Sequence, residues 1–100
     1  MKEAINTDNK IVELIGRRRR QILVHSYIYY KLDKNLIEDT QWSKWALELY
    51  NLQIKYPKES QVAPLYDEFV GFDYSTGSDL PLDADWIKQD AEMLLHYNLR

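Results

Sequence analysis

The chain contains no cysteine. That removes a disulfide framework, a thiolate zinc site and a cysteine nucleophile together. No run approaches the about 18 apolar residues that a membrane-spanning helix needs. The first ten residues, MKEAINTDNK, are polar and lack an apolar signal core, so a cytoplasmic location is expected and a membrane is not. Basic charge is not in excess either. The formal net charge is −3, which argues against a protein that coats nucleic acid by neutralising phosphates. The motifs of several chemistries are missing as well. There is no G-x-S-x-G, no P-loop, no G-x-G-x-x-G and no H-E-x-x-H. The two histidines, His25 and His96, are far apart in sequence. Neither stands at a metal-ligand spacing from carboxylates, and His25 reads as a structural or ligand-contacting ring.

What is present is the material of one folded domain. One hundred residues with 45% hydrophobic side chains suit a single globular unit and not a disordered chain. The thirteen aromatics, eight of them Tyr, exceed what a minimal core needs. Tyr carries an apolar body and a polar tip, so it suits interfaces and ligand sites.

Apolar periodicity predicts an all-α fold. Thr7 or Asp8 can cap a first helix from about Asp8 to Leu32. Its apolar positions Ile11, Leu14, Ile15, Ile22, Leu23 and Ile28 recur near helical spacing, with Gly16 a weak point. Asp33-Lys34-Asn35 ends it. A second helix starts near Asp39 or Thr40, carries Trp42, Trp45, Ala46, Leu49, Leu52 and Gln53, and stops at Pro57. So short a connection implies an antiparallel hairpin over residues 8–56. Residues 57–82 read as an ordered loop, with a helical turn in LYDEFVGF. A C-terminal helix follows over 83–98, capped by Asp83 or Asp85.

Three stretches could carry function. In GRRRR, residues 16–20, successive side chains turn by about 100°, so four arginines cannot face one way. Arg17 with Arg20 can reach a phosphate, or Arg18 with a neighbour; the alternative is a solvated basic band paired with acidic residues. In HSYIYYKLDKNLIEDTQW, Tyr27 and Tyr30 are three apart and share a helical face, while Tyr29 lies nearer His25 and Leu32. A hairpin brings Tyr29 or Tyr30 opposite Asp39 and Trp42. Rings, a carboxylate and hydroxyls suit a flat polar heterocycle, above all a cationic one. The alternative is a hairpin core that packs Tyr and Trp with hydroxyls at its rim. In GFDYSTGSDLP, residues 71–81, Asp73, Ser75, Thr76 and Gly77 supply donors and a tight turn, or merely pack the loop on the hairpin.

The segment from His25 to Pro57 resembles the small N-terminal helical domain, domain Ia, of bacterial NAD-dependent DNA ligases. That domain carries H-x-Y-x-Y-[YH]-x-x-D-x-P-x-[IV]-[SP]-D-x-E-Y-D and then a helix ending in L-E-x-x-[HY]-P. His25, Tyr27, Tyr29, Tyr30, Asp33, Ile37, Asp39, Leu52, Tyr56 and Pro57 fall in register with it. The match spans about a third of the chain and implies the same helical hairpin. In the family, the domain closes over the nicotinamide mononucleotide half of NAD and orients it for a lysine of a nucleotidyltransferase domain. The resemblance therefore implies nicotinamide contacts at Tyr29, Tyr30, Asp39 and Trp42, with His25 beside them. Trp42 stands where the family has Tyr, Ser43 where it has a second Asp, and Asn35 where it has the turn proline.

The adenylation motif K-x-D-G is missing: Lys31-Leu32-Asp33 is followed by Lys34. The chain is accordingly expected not to be an enzyme on its own. It resembles the stand-alone relatives of domain Ia found in phages and mobile elements, which share an F-x-x-F-D-x-S-T-G-x-x-L-P segment with residues 69–81. Two functions stay open. One is a nucleotide-binding module that takes NAD or nicotinamide mononucleotide, acting in trans with a nucleotidyltransferase or sequestering the ligand. The other is a repurposed module that binds a replication or defence protein through its aromatics.

Overall fold

Asp8 starts the first helix. Its carboxylate accepts from the backbone N–H of Lys10 at 2.9 Å and of Ile11 at 3.4 Å, two donors that would otherwise have no intrahelical partner. In a computed structural model that describes residues 7–98, this helix, α1, spans Asn9–Leu32. It is long, about 36 Å at 1.5 Å per residue. Asp33 ends it in the left-handed region (φ 56°, ψ 45°), where a short polar side chain is tolerated. The N–H groups of Asp33 and Lys34 both return to the carbonyl of Ile28.

Helix α2, Asp39–Lys55, follows after six residues. The Glu38 carbonyl opens it, accepting from Gln41 N–H at 3.0 Å and Trp42 N–H at 3.1 Å. Contacts between α1 and α2 run in opposite senses along the chain. Ser26 meets Trp42, Arg18 meets Glu48 and Arg19 meets Gln53. The expected antiparallel hairpin is therefore present.

The stretch 57–82 holds more helix than its sequence announces. Pro57 does end α2, but it also occupies the first position of a short helix, α3, Pro57–Val62. Its fixed φ and missing N–H cost nothing there. Glu59 of α3 accepts from the Asp8 N–H at 2.8 Å and so ties α3 to the start of α1. A 3₁₀ turn follows at Asp67–Phe69, inside the stretch expected to turn. The last helix, α4, spans Asp85–Asn98. It opens on the Ala84 carbonyl, which accepts from Ile87 and Lys88. Asp85 is its first residue, so neither Asp83 nor Asp85 occupies the cap position.

All regular structure among the described residues is helical. The core is aliphatic apart from Phe69. Ile15, Ile22, Leu23, Ala46, Leu49, Ala63, Phe69, Leu82 and Ile87 are buried as one cluster, and Val24, Ile28 and Ala91 join α1 to α4 in a second. Each large member contributes about 1.5–3 kcal/mol by leaving water. None of the eight tyrosines is in the buried class; Tyr29, Tyr30, Tyr66, Tyr74 and Tyr97 are exposed. Gly16, the expected weak point of α1, is buried, and a Cβ there would stand 3.2 Å from Pro64 Cδ. The glycine lets the chain after α3 lie against α1, which offsets its poor helix propensity.

No helix among the described residues is long and apolar enough to cross a membrane.

Candidate functional site at the open end of the hairpin

The turn between α1 and α2 leaves the last turn of one helix beside the first turn of the other. A cleft of about 230 Å³ opens there. His25, Tyr29 and Tyr30 line it from α1, and Asp39, Trp42 and Ser43 from α2. Asn35, Leu36 and Ile37 of the connection form its floor, with Lys34 also on its lining. The hairpin thus assembles five of the seven residues expected at the site: His25, Tyr29, Tyr30, Asp39 and Trp42.

The rings are fixed by contacts within the protein. Tyr29 and Tyr30 meet edge to face, centroids 4.8 Å apart at 86°. Trp42 is fixed by its indole N–H, which donates to Ser26 Oγ at 3.2 Å. His25 packs on Trp45 at 5.5 Å and 53°. Burial pushes the His25 pKa below the usual histidine value, because the protonated ring would lose its hydration. Its Nδ1 is buried and has no hydrogen-bond partner. Tyr27 does not join Tyr30 on the cleft. It is half-buried and packs against both core clusters, so the shared face inferred from their spacing divides at the core boundary.

The fourth wall comes from far along the chain. Ser75 and Thr76 line the same cleft, and the Tyr30 hydroxyl meets Thr76 Oγ1 at 3.0 Å. Gly77 brings them there. It is buried, and a Cβ on it would collide with Ser26 Oγ and stand 3.1 Å from Trp42 Cζ2. Only a residue without a side chain lets this loop approach the seam between α1 and α2 so closely. Tyr74 adds a second anchor, its ring 4.7 Å from that of Tyr50. Asp73 shapes the turn by accepting from Ser75 Oγ at 2.6 Å and from Ser75 N–H at 3.1 Å. Those two bonds, the hydroxyl's first, hold the Asp73 carboxyl below its usual pKa. The loop therefore both packs on the hairpin and contributes to the cleft.

Arg17 and Arg20, expected near a phosphate, do not line the cleft. Arg17 lies twelve residues before Tyr29, about 18 Å along the helix axis, and forms a bidentate pair with Glu13 at 2.6 and 3.2 Å. Arg20 lines a separate groove between α1 and α4 with Val24, Met93 and Tyr97. Arg18 bonds Glu48 and Gln21, both at 2.7 Å. Arg19 is fully buried, its charge spread among acceptors of α2 and the α3 segment. Helical rotation thus sends the four arginines to four different surroundings. The cation that does line the cleft is Lys34, which sequence reasoning passed over as part of a turn. Its place just past the helix end, in the hairpin connection, was the available signal.

Chemically, the cleft offers aromatic faces, one carboxylate, one ammonium and several hydroxyls. At about 230 Å³ it is smaller than the roughly 300–1,000 Å³ of pockets that enclose drug-sized ligands. It suits one flat ring, with the rest of a ligand outside. No group of three or more His, Cys, Asp or Glu that could hold a metal occurs among the described residues. Comparison with known protein families, with curated proteins and with solved structures returns no match.

Proposed function

We propose that this chain is a non-catalytic nucleotide-binding module that takes the nicotinamide mononucleotide half of NAD, or free nicotinamide mononucleotide. The observation that carries the reading is the convergence of Tyr29, Tyr30, Asp39 and Trp42 on one ring-sized cleft. These are the four positions that the resemblance to ligase domain Ia singles out, and they come from two helices. A pyridinium ring between aromatic faces gains from the rings' negative quadrupoles, and the Asp39 carboxylate adds to that attraction. Lys34, also on the lining, supplies a cation with which a phosphate would pair. The adenylation lysine motif of the ligase family is absent from the sequence. In this reading the module presents its ligand to a separate nucleotidyltransferase or withholds it from one.

Calorimetric titration tests it. The protein is titrated with nicotinamide mononucleotide and with NAD, beside the Tyr29→Ala/Asp39→Ala double variant. Both residues are exposed, so the variant is expected to keep its fold. Saturable binding by the wild type that the variant loses supports the reading. No heat at millimolar ligand overturns it.

A second reading, a protein-interaction module for a replication or defence protein, draws on one specific feature. The groove between α1 and α4 is flanked by Met93 and Tyr97, 60% and 61% exposed, beside Val24 and Arg20. Exposed aromatics with Arg are the residues that dominate interface hot spots. Failure of nucleotide binding would turn attention to that groove.

A further inference from the structure

Resting on the nucleotide-binding reading and deepening it, we infer that the loop Asp73–Ser78 turns the cleft wall into a set of hydrogen-bond acceptors. Such a wall selects a ring that bears a carboxamide over the same ring bearing a carboxylate.

The argument is a count of protons and lone pairs. A hydroxyl has one proton to donate and two lone pairs to accept with. Thr76 Oγ1 accepts from the Ser78 N–H at 3.1 Å and donates to Ser78 Oγ at 3.1 Å. One lone pair remains, so in the 3.0 Å contact with Tyr30 it is Tyr30 that donates. The Tyr30 proton is therefore committed to the loop. What its oxygen still offers the cleft is acceptor capacity.

Ser75 is committed in the same way. Its proton goes to Asp73 Oδ1 at 2.6 Å, a short bond of the charge-assisted kind. The Ser75 oxygen is left with lone pairs. Asp39, across the cleft, accepts only. Trp42, which has a donor and no acceptor, directs that donor to Ser26 Oγ. So the donors of Tyr30, Ser75 and Trp42 are spent within the protein, while three lining groups keep open lone pairs. Tyr29, His25, Ser26, Asn35 and Ser43 also line the cleft and can donate or accept, so the bias lies on the side that the loop and Asp39 form. Lys34 adds an ammonium, which a mononucleotide's phosphate occupies whichever group the ring carries.

A carboxamide brings an NH₂ with two donors to such a wall. A carboxylate brings only acceptors, so lone pairs would face lone pairs beside a fixed negative charge. A site built for a donor rejects an analogue that lacks it, because its buried polar groups then go unpaired. This cleft is partly open to water, so the discrimination is set well below the limit for closed sites, at about 10- to 100-fold.

The test is a pair of titrations, nicotinamide mononucleotide against nicotinic acid mononucleotide. The wild type is expected to bind the amide about 10- to 100-fold more tightly. Asp73→Ala/Thr76→Ala frees the Ser75 and Tyr30 protons, and the ratio should shrink towards one. Should that loop variant lose its structure, Tyr30→Phe/Ser75→Ala removes the same lone pairs; it gives up the Ser75 Oγ–Asp73 and Tyr30–Thr76 bonds but keeps those from Ser75 N–H to Asp73 and from Ser78 N–H to Thr76. It too should narrow the ratio, by weakening the amide form. Equal affinity of the wild type for the two ligands overturns the inference while nucleotide binding stands. An undiminished ratio in the variants does the same. Binding of neither ligand overturns the nucleotide-binding reading and this inference with it.

Discussion

Arg19 and Tyr30 sit eleven residues apart on the same helix, and both are polar groups at a meeting of segments. Their surroundings differ in one respect that decides what each can do. The Arg19 guanidinium has five N–H donors, and all five are used. Nε bonds Gln53 Oε1 at 2.9 Å, Nη1 bonds the carbonyls of Ala63 and Pro64 at 3.2 and 2.9 Å, and Nη2 bonds Ser60 O and Oγ at 3.1 and 2.7 Å. Nothing is left for a ligand. Burial pulls its pKa down from 12.5 to about 10, against the raising influence of Glu68 and Tyr66, so it stays charged at neutral pH. At the other end Tyr30, Ser75 and Asp39 are partnered on one side only or open to the cleft. A saturated polar group holds a fold together; an unsaturated one at a cleft is available for recognition. The distinction lies in hydrogen-bond capacity, not in residue type.

The comparison breaks most visibly at Arg19 itself. Arg19→Ala would leave the buried carbonyls of Ser60 and Ala63, and the part-buried one of Pro64, without their donor, and each such loss in a buried site costs about 1–3 kcal/mol. A total of about 3–5 kcal/mol is expected, a large part of the roughly 5–15 kcal/mol that holds a domain folded. Urea unfolding measures it. Arg17→Ala, whose side chain pairs with Glu13 at the surface, should stay within about 0.5 kcal/mol of wild type. Equal losses for the two would mean that the bonds of Arg19 do not distinguish it from a surface arginine.

Gly77 gives the next largest effect and links the two regions, because it joins the recognition loop to the packed hairpin. Gly77→Ala puts a methyl group into Ser26 and 3.1 Å from Trp42 Cζ2. Crowding of this kind costs about 1–3 kcal/mol. Gly16→Ala meets Pro64 at 3.2 Å but gains about 1 kcal/mol of helix propensity, so the two terms nearly cancel. Thermal unfolding of the pair should therefore separate them, with Gly77→Ala clearly the less stable. If Gly77→Ala melts with the wild type, the loop does not sit on the seam and the fourth wall of the cleft goes with it.

Local patterns in the sequence carried the hairpin well. Apolar spacing, Asp8 as a cap, Asp33 as a stop and Pro57 as a terminator place α1 and α2 within a residue of where they lie. The convergence of Tyr29, Tyr30, Asp39 and Trp42 was legible for the same reason, since a short turn fixes which helix ends meet. What escaped depends on partners distant in sequence. Nothing local says which of four consecutive arginines is buried. That is decided by carbonyls 41–45 residues away, at the end of a short helix that reads as loop. The division between Tyr27 in the packing and Tyr30 at the cleft follows from where α4 and the 71–81 loop cover α1, which spacing along one helix does not contain. Gly77 reads as a turn glycine. Its backbone does not need a positive φ; it is glycine because of what lies against it.

His25 provides the finest test, because it crosses the division between the two regions. It lines the cleft and also the groove between α1 and α4. Yet its Nδ1 is buried without a partner, unlike any donor of Arg19. Burial lowers its pKa in the folded protein below the unfolded value of 6.5. The unfolded chain therefore binds this proton more readily in the window from 6.5 down to the folded pKa. Stability from the neutral ring is complete above pH 6.5 and is lost as the pH falls through that window. His25→Phe keeps a ring against Trp45 and removes the proton site. Urea midpoints at pH 7.5 and 5.5 should fall more for the wild type than for the variant, other carboxylate and histidine titrations being common to both. The effect is the smallest of the three, since one partly covered ring is involved. Equal falls would mean that water reaches the protonated ring through the cleft. His25 would then belong with the unsaturated groups of the site, and the boundary between packing and recognition would lie one helical turn deeper into α1.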